Sequence, residues 1–135
     1  MSGGMNMIGM WNSYLHIYLY VLSIGMMLGF GLPLLFVPLH WARLFRWKIP
    51  QPKELAAFLG RTVGVFICVI AGFAFRAANM PEVQPFFFDM LLWILIGSIF
   101  IHAYGAIRKA QPITETVEIV VWFILLFLTL AFYPS

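Results

Sequence analysis

The sequence predicts an all-α fold, an integral membrane bundle of four transmembrane helices. Three observations carry that prediction. The chain is 63% hydrophobic and 10% charged, against about 45–50% apolar and about 25% charged in a soluble domain. With 135 residues it cannot hide such an excess in a core, because a small chain leaves much of its surface exposed. Apolar runs recur over about 14–37, 54–79, 85–104 and 113–132, each close to the roughly 20 residues that cross a bilayer. Most of the prolines and most of the cations fall outside these runs.

The first helix is read over 14–37. Residues 1–13 contain no Lys or Arg and therefore no positive n-region of a secretory signal, and no small-residue cleavage site follows. No glycine stands directly after the first methionine, as myristoylation requires. The first apolar run is expected to persist as a helix. Gly25 and Gly29 give it a GxxxG spacing, which lets a neighbouring backbone approach closely. Pro33 removes a backbone donor and kinks the last turns, and Pro38 is expected to end the helix.

Segment 40–53 follows, with Trp41, Leu44, Phe45 and Trp47 alternating with Arg43, Arg46 and Lys48. This is the pattern of an amphipathic segment lying in the headgroup region, with His40 at the same interface. Pro50 and Pro52 break it before the second helix.

In the second helix, over 54–79, Gly60, Gly64, Cys68 and Gly72 recur every four residues. Each step of four overshoots a helical turn by about 40°, so the small side chains form a slowly winding stripe. Its expected partner is the first helix, with Gly25 and Gly29 meeting Gly64 or Cys68. Cys68 is the single cysteine, which excludes an intrachain disulfide and a cysteine-based zinc site, and it reads as a packing residue. Arg76 near the far end of this helix and Asp89 in the first turns of the third are predicted to form an outer ion pair. Arg108, Lys109 and Pro112 lie in the third connection, and Thr114 is placed to cap the fourth helix.

The first and third connections carry Arg43, Arg46, Lys48, Lys53, Arg108 and Lys109. The positive-inside rule puts them in the cytoplasm and both termini on the non-cytoplasmic side. No internal repeat or linker divides 1–135, which reads as one domain.

Topology brings Arg61, Glu118, Glu115 and His102 to similar depth as an intramembrane polar cluster. An arginine in hydrocarbon needs a partner, and Glu118 is the first choice, with Glu115 and His102 next. The cluster reads either as a buried ion pair that fixes helix register or as a proton relay or anion-holding site. His16 and His102 have the chemistry of axial haem ligands. They lie toward opposite faces of the membrane, so each would ligate separately. No HExxH, nucleotide loop, GxSxG or CxxC stands in the chain, and no metal site is expected. The net charge of +3 is clustered and forms no stripe suited to nucleic acid.

A histidine opens the first span in Leu15-His16, and the run LPLLFV at 32–37 is followed by His40. His102 lies shortly before Arg108-Lys109, and the chain closes on an apolar helix and a proline. In these features, and in length and span count, the chain resembles the small haem-associated protoporphyrinogen oxidase family and the wider copper-resistance-D-like membrane proteins. The resemblance implies a haem, with His16 as a ligand.

Taken from the residues, the expected function is that of a small non-catalytic accessory or structural subunit of a larger membrane complex. The expected setting is multi-pass in a bacterial inner membrane. Its partners would be the lipid bilayer and other membrane subunits or further copies of itself, and no nucleic acid. The alternatives are a b-type haem-binding oxidoreductase and a lipid- or quinone-binding protein that uses Arg61 and Glu118.

Overall fold

Proline decides how the first span ends. In the computed structural model, which describes residues 6–135, this span covers Asn12–Phe36. It begins as a 3-10 turn (Asn12–Tyr14), continues as α1 (Leu15–Met26), passes through a π turn (Met27–Gly31) and finishes as α2 (Leu32–Phe36). Pro33 has no N–H to give the Gly29 carbonyl four residues earlier. Trp41 supplies it instead, its Nε1 donating to that carbonyl at 3.0 Å. Val37, the residue before Pro38, leaves helical geometry at φ −133°, as steric conflict with the following ring requires. Pro38 therefore ends one helix, as expected, but it also opens the next, α3 (Pro38–Leu44). Proline suits that first position, where an N–H would go unused. α3 folds back on the first span, and Trp41 stacks on Phe45 and packs against Phe30.

Segment 40–53 is helical only to Leu44. There Arg46 takes a left-handed φ of 64°, and Trp47 N–H bonds to the Ala42 carbonyl while Arg46 N–H bonds to that of Arg43. This double closure satisfies carbonyls a helix end leaves open. The same closure recurs at the end of the third span, with Lys109 at φ 52°, Ala110 N–H on Gly105 and Lys109 N–H on Ala106. A cation at each of these two ends also complements the helix dipole.

The second span is α4 (Glu54–Ala77), the third joins a short 3-10 turn to α5 (Gln84–Ile107), and the fourth is α6 (Ile113–Ala131). All four are long and apolar enough to cross a membrane, at 25, 24, 27 and 19 residues. No strand occurs among the described residues. Thr114 does not cap α6: Pro112 holds that position, and the Thr114 hydroxyl donates to the Phe45 carbonyl across the basic end.

The bundle is two hairpins. The first span packs along α4, and α5 packs along α6, while α4 and α5 touch little. The first hairpin closes through Gly31, Gly60 and Gly64. A Cβ on Gly64 would lie 2.5 Å from the Leu35 backbone nitrogen, one on Gly60 2.7 Å from Pro38 Cβ, and one on Gly31 2.7 Å from Cys68 Sγ. Ser23 Oγ donates to the Ala71 carbonyl at 2.6 Å in the same seam. The hairpins meet at the end opposite the basic connections. Tyr18 and Leu19 pack there with Ala74, Ala77, Phe87, Phe88, Leu91 and Leu95. Tyr18 hydroxyl bonds with Thr129 Oγ1 at 2.7 Å, and its ring stacks on Phe132.

Candidate functional site

At the opposite, basic end the side chains between α5 and α6 are polar. His102 sits about one and a half turns inside α5, because that helix runs to Ile107 and not to the expected residue 104. Glu115 and Glu118, three residues apart, share one face of the first turns of α6. His102 Nε2 lies 3.1 Å from Glu115 Oε2 and 3.6 Å from Glu118 Oε2. The three side chains are only 16%, 9% and 16% exposed.

Each member is held from behind. His102 Nδ1 is 2.8 Å from the Ser98 carbonyl. A carbonyl only accepts, so Nδ1 carries the proton in that contact. Trp47 Nε1 donates to Glu115 Oε1 at 2.8 Å, which ties segment 40–53 to α6. Gln111 Nε2 donates to the His102 carbonyl at 2.9 Å and to Thr116 Oγ1 at 3.2 Å. Gly105 leaves the room for the Gln111 side chain, which a Cβ there would strike. Trp122, whose ring centroid is 5.3 Å from that of His102, carries a buried indole N–H with no partner among the described residues.

Three of the four residues predicted to cluster thus come together, and Arg61 does not join them. Arg61 is exposed on α4 and forms no ion pair among the described residues. The reason is the hairpin pairing: α4 belongs to the first span and α6 to α5, and Trp47 occupies the place beside Glu115. The outer pair is likewise not formed. Asp89 accepts a hydrogen bond from Tyr133 at 2.6 Å, which pushes the Tyr133 phenol above the usual tyrosine range. Arg76 instead borders a cleft of about 540 Å³ between α4 and α5, lined by Val69, Phe73, Phe86 and Met90 among others.

The two histidines stand at opposite ends of the bundle, with His16 exposed in the first turn of α1. The small residues divide. Gly31, Gly60, Gly64 and Cys68 form the internal seam, whereas a Cβ on Gly25, Gly29 or Gly72 would meet nothing within 4 Å. Gly31 and the Trp47–Glu115 contact are absent from the sequence reading. Gly31 carried no four-residue partner to mark it, and Trp47 read as a lipid anchor. His102, Glu115 and Glu118 each offer one ligand atom, and these atoms lie within 4.8 Å of one another. No family model matches the chain, and comparison with curated proteins and with solved structures returns no match.

Proposed function

We propose that this chain is a small non-catalytic subunit of a larger integral membrane assembly, docked against a transmembrane helix of another subunit through Gly25 and Gly29. The observation that carries this reading is that a GxxxG pair on the first span faces open space and not the chain's own seam. Such a pair is what lets a second helix backbone approach closely in a membrane, where apolar burial against lipid offers no drive to associate. Arg61 adds a second contact. It is a cation about 10 Å along α4 from Glu54, exposed and unpaired among the described residues, and it suits a carboxylate of the partner. In this reading the basic end, with Arg43, Arg46, Lys48, Lys53, Arg108 and Lys109, faces the cytoplasm of a bacterial cell.

The test is the mass of the particle extracted gently from the native membrane. The wild-type chain is expected in a particle well above its own 15.5 kDa plus detergent. Gly25→Leu with Gly29→Leu is expected to run as the detergent-bound chain alone with helix content unchanged, since a Cβ at either position meets nothing within 4 Å. A doubly substituted protein that stays in the large particle would refute the docking.

The cleft beside Arg76 favours a second reading, an anionic amphiphile such as a lipid whose chain lies between α4 and α5. Here Arg76 takes the role first assigned to Arg61 and Glu118. Native mass spectrometry should then find one retained amphiphile per chain, largely lost in Arg76→Leu. Equal retention in both proteins would remove this reading.

A further inference from the structure

We propose that His102, Glu115 and Glu118 bind one divalent first-row transition-metal ion at the basic end of the bundle. The argument begins with the histidine tautomer. With its Nδ1–H committed to the Ser98 carbonyl at 2.8 Å, a neutral His102 presents a lone pair at Nε2. That lone pair faces two carboxylate oxygens, at 3.1 Å and 3.6 Å. Three acceptors converging in a site so little exposed repel one another unless something positive lies among them.

Charge decides between the candidates for that role. His102 is the basic side chain that lies within 4.0 Å of these carboxylates among the described residues, and neither is met by a lysine or arginine. A proton on Nε2 makes an imidazolium, which balances only one of two ionised carboxylates. A divalent ion with a neutral imidazole and two carboxylates balances the site. The ligand atoms already lie within 4.8 Å of one another. Bonds of about 2.0–2.2 Å to a shared centre require only a small closing movement.

The surroundings are those of a metal site as well. A ligating histidine ordinarily gives its other N–H to a carbonyl or carboxylate, and a ligating carboxylate is itself hydrogen-bonded. Ser98 and Trp47 meet both conditions. One imidazole with two carboxylates suits Mn²⁺, Fe²⁺, Co²⁺ or Zn²⁺ better than a soft monovalent ion. Three protein ligands leave a coordination position open, as in working sites and unlike closed structural ones. Beside His102, with ring centroids 5.3 Å apart, Trp122 carries a buried indole N–H without a partner among the described residues.

The probe is Co²⁺, added to the full chain in lipid nanodiscs, with visible absorption as the readout. One Co²⁺ per chain is expected, displaced by Zn²⁺ and not by Mg²⁺. His102→Gln and Glu118→Gln should each weaken binding by at least 100-fold. Trp47→Phe, which changes no ligand, should weaken it by about 10-fold through the loosened Glu115. Absence of stoichiometric Co²⁺ binding by the wild-type protein overturns the proposal whatever the variants do. So does equal affinity in wild type and both ligand variants. A doubly protonated His102 seen by nitrogen NMR at neutral pH, with Co²⁺ present, would make the cluster an imidazolium ion pair and also overturn it.

Discussion

Gly64→Val is expected to cost on the order of 3 kcal/mol and to disrupt the first hairpin. The reason is what the new side chain would strike. Its Cβ would lie 2.5 Å from the Leu35 nitrogen and 3.0 Å from both the Gly31 oxygen and the Leu34 carbonyl carbon. All three are backbone atoms, and backbone cannot turn aside as a side-chain tip can. α4 would have to retreat from the first span along its length. The Gly60–Pro38 and Gly31–Cys68 contacts would open with it, as would the 2.6 Å hydrogen bond from Ser23 to the Ala71 carbonyl. Gly72→Val is the matched control. It lies on the same helix and in the same four-residue series, yet its Cβ meets nothing within 4 Å, so its effect should stay near 0.5 kcal/mol. Thermal loss of the monodisperse peak in detergent compares the two. Equal stability of both variants would show that the first two spans do not pack through Gly64.

That contrast shows how far spacing alone reaches. Gly60, Gly64, Cys68 and Gly72 look equivalent in the sequence, and a straight helix would set them on one slowly winding stripe. The first span, however, is not straight. Its π turn at Met27–Gly31 and the break at Val37 bring α2 and Pro38 against the first half of α4. The seam then runs through Gly60, Gly64 and Cys68 and has left Gly72 behind. On the first span the spacing marks Gly25 and Gly29, but the close approach falls on Gly31, which has no four-residue partner to announce it.

The four spans were legible because composition decides them: each apolar run has no alternative to lipid or a large core. The ends were legible where proline sets them, at Val37–Pro38 and at Pro112. The third span runs past residue 104 because Gly105 acts as a packing site for Gln111 and not as a helix stop. In the polar cluster, residue type and depth were enough to gather His102, Glu115 and Glu118. They were not enough to exclude Arg61, since depth says nothing about which helices are neighbours. Only the pairing into hairpins separates α4 from α6 at the basic end. The partner that replaces Arg61 is an indole, a side chain whose apolar bulk makes its N–H easy to overlook in a membrane sequence.

Glu115→Ala is expected to release segment 40–53 from the fourth span. Glu115 is 7% exposed, and its two oxygens are divided between partners on different elements. Oε1 accepts from Trp47 at 2.8 Å and Oε2 lies 3.1 Å from His102 Nε2. Hydrogen bonds to a charged group contribute about 1.5–3 kcal/mol each, and the Trp47 bond is one of two side-chain hydrogen bonds across this gap among the described residues. The other is the Thr114 hydroxyl on the Phe45 carbonyl. With one tie gone, the stretch from Arg43 to Lys48 should open more often by the factor that about 2 kcal/mol represents, roughly 30-fold. Arg43, Arg46 and Lys48 are trypsin sites, so the initial cleavage rate in nanodiscs without added metal reads that opening directly. Glu115→Gln keeps an acceptor for Trp47 but not the charge, and should raise the rate by only a few-fold. The gradation separates two causes that a single variant would merge. Equal rates for Ala and Gln would mean that the carboxylate's charge, acting through His102, sets the position of the segment. Rates at the wild-type level in both would mean that the stacking of Trp41 on Phe45 and Phe30 holds it without help from α6.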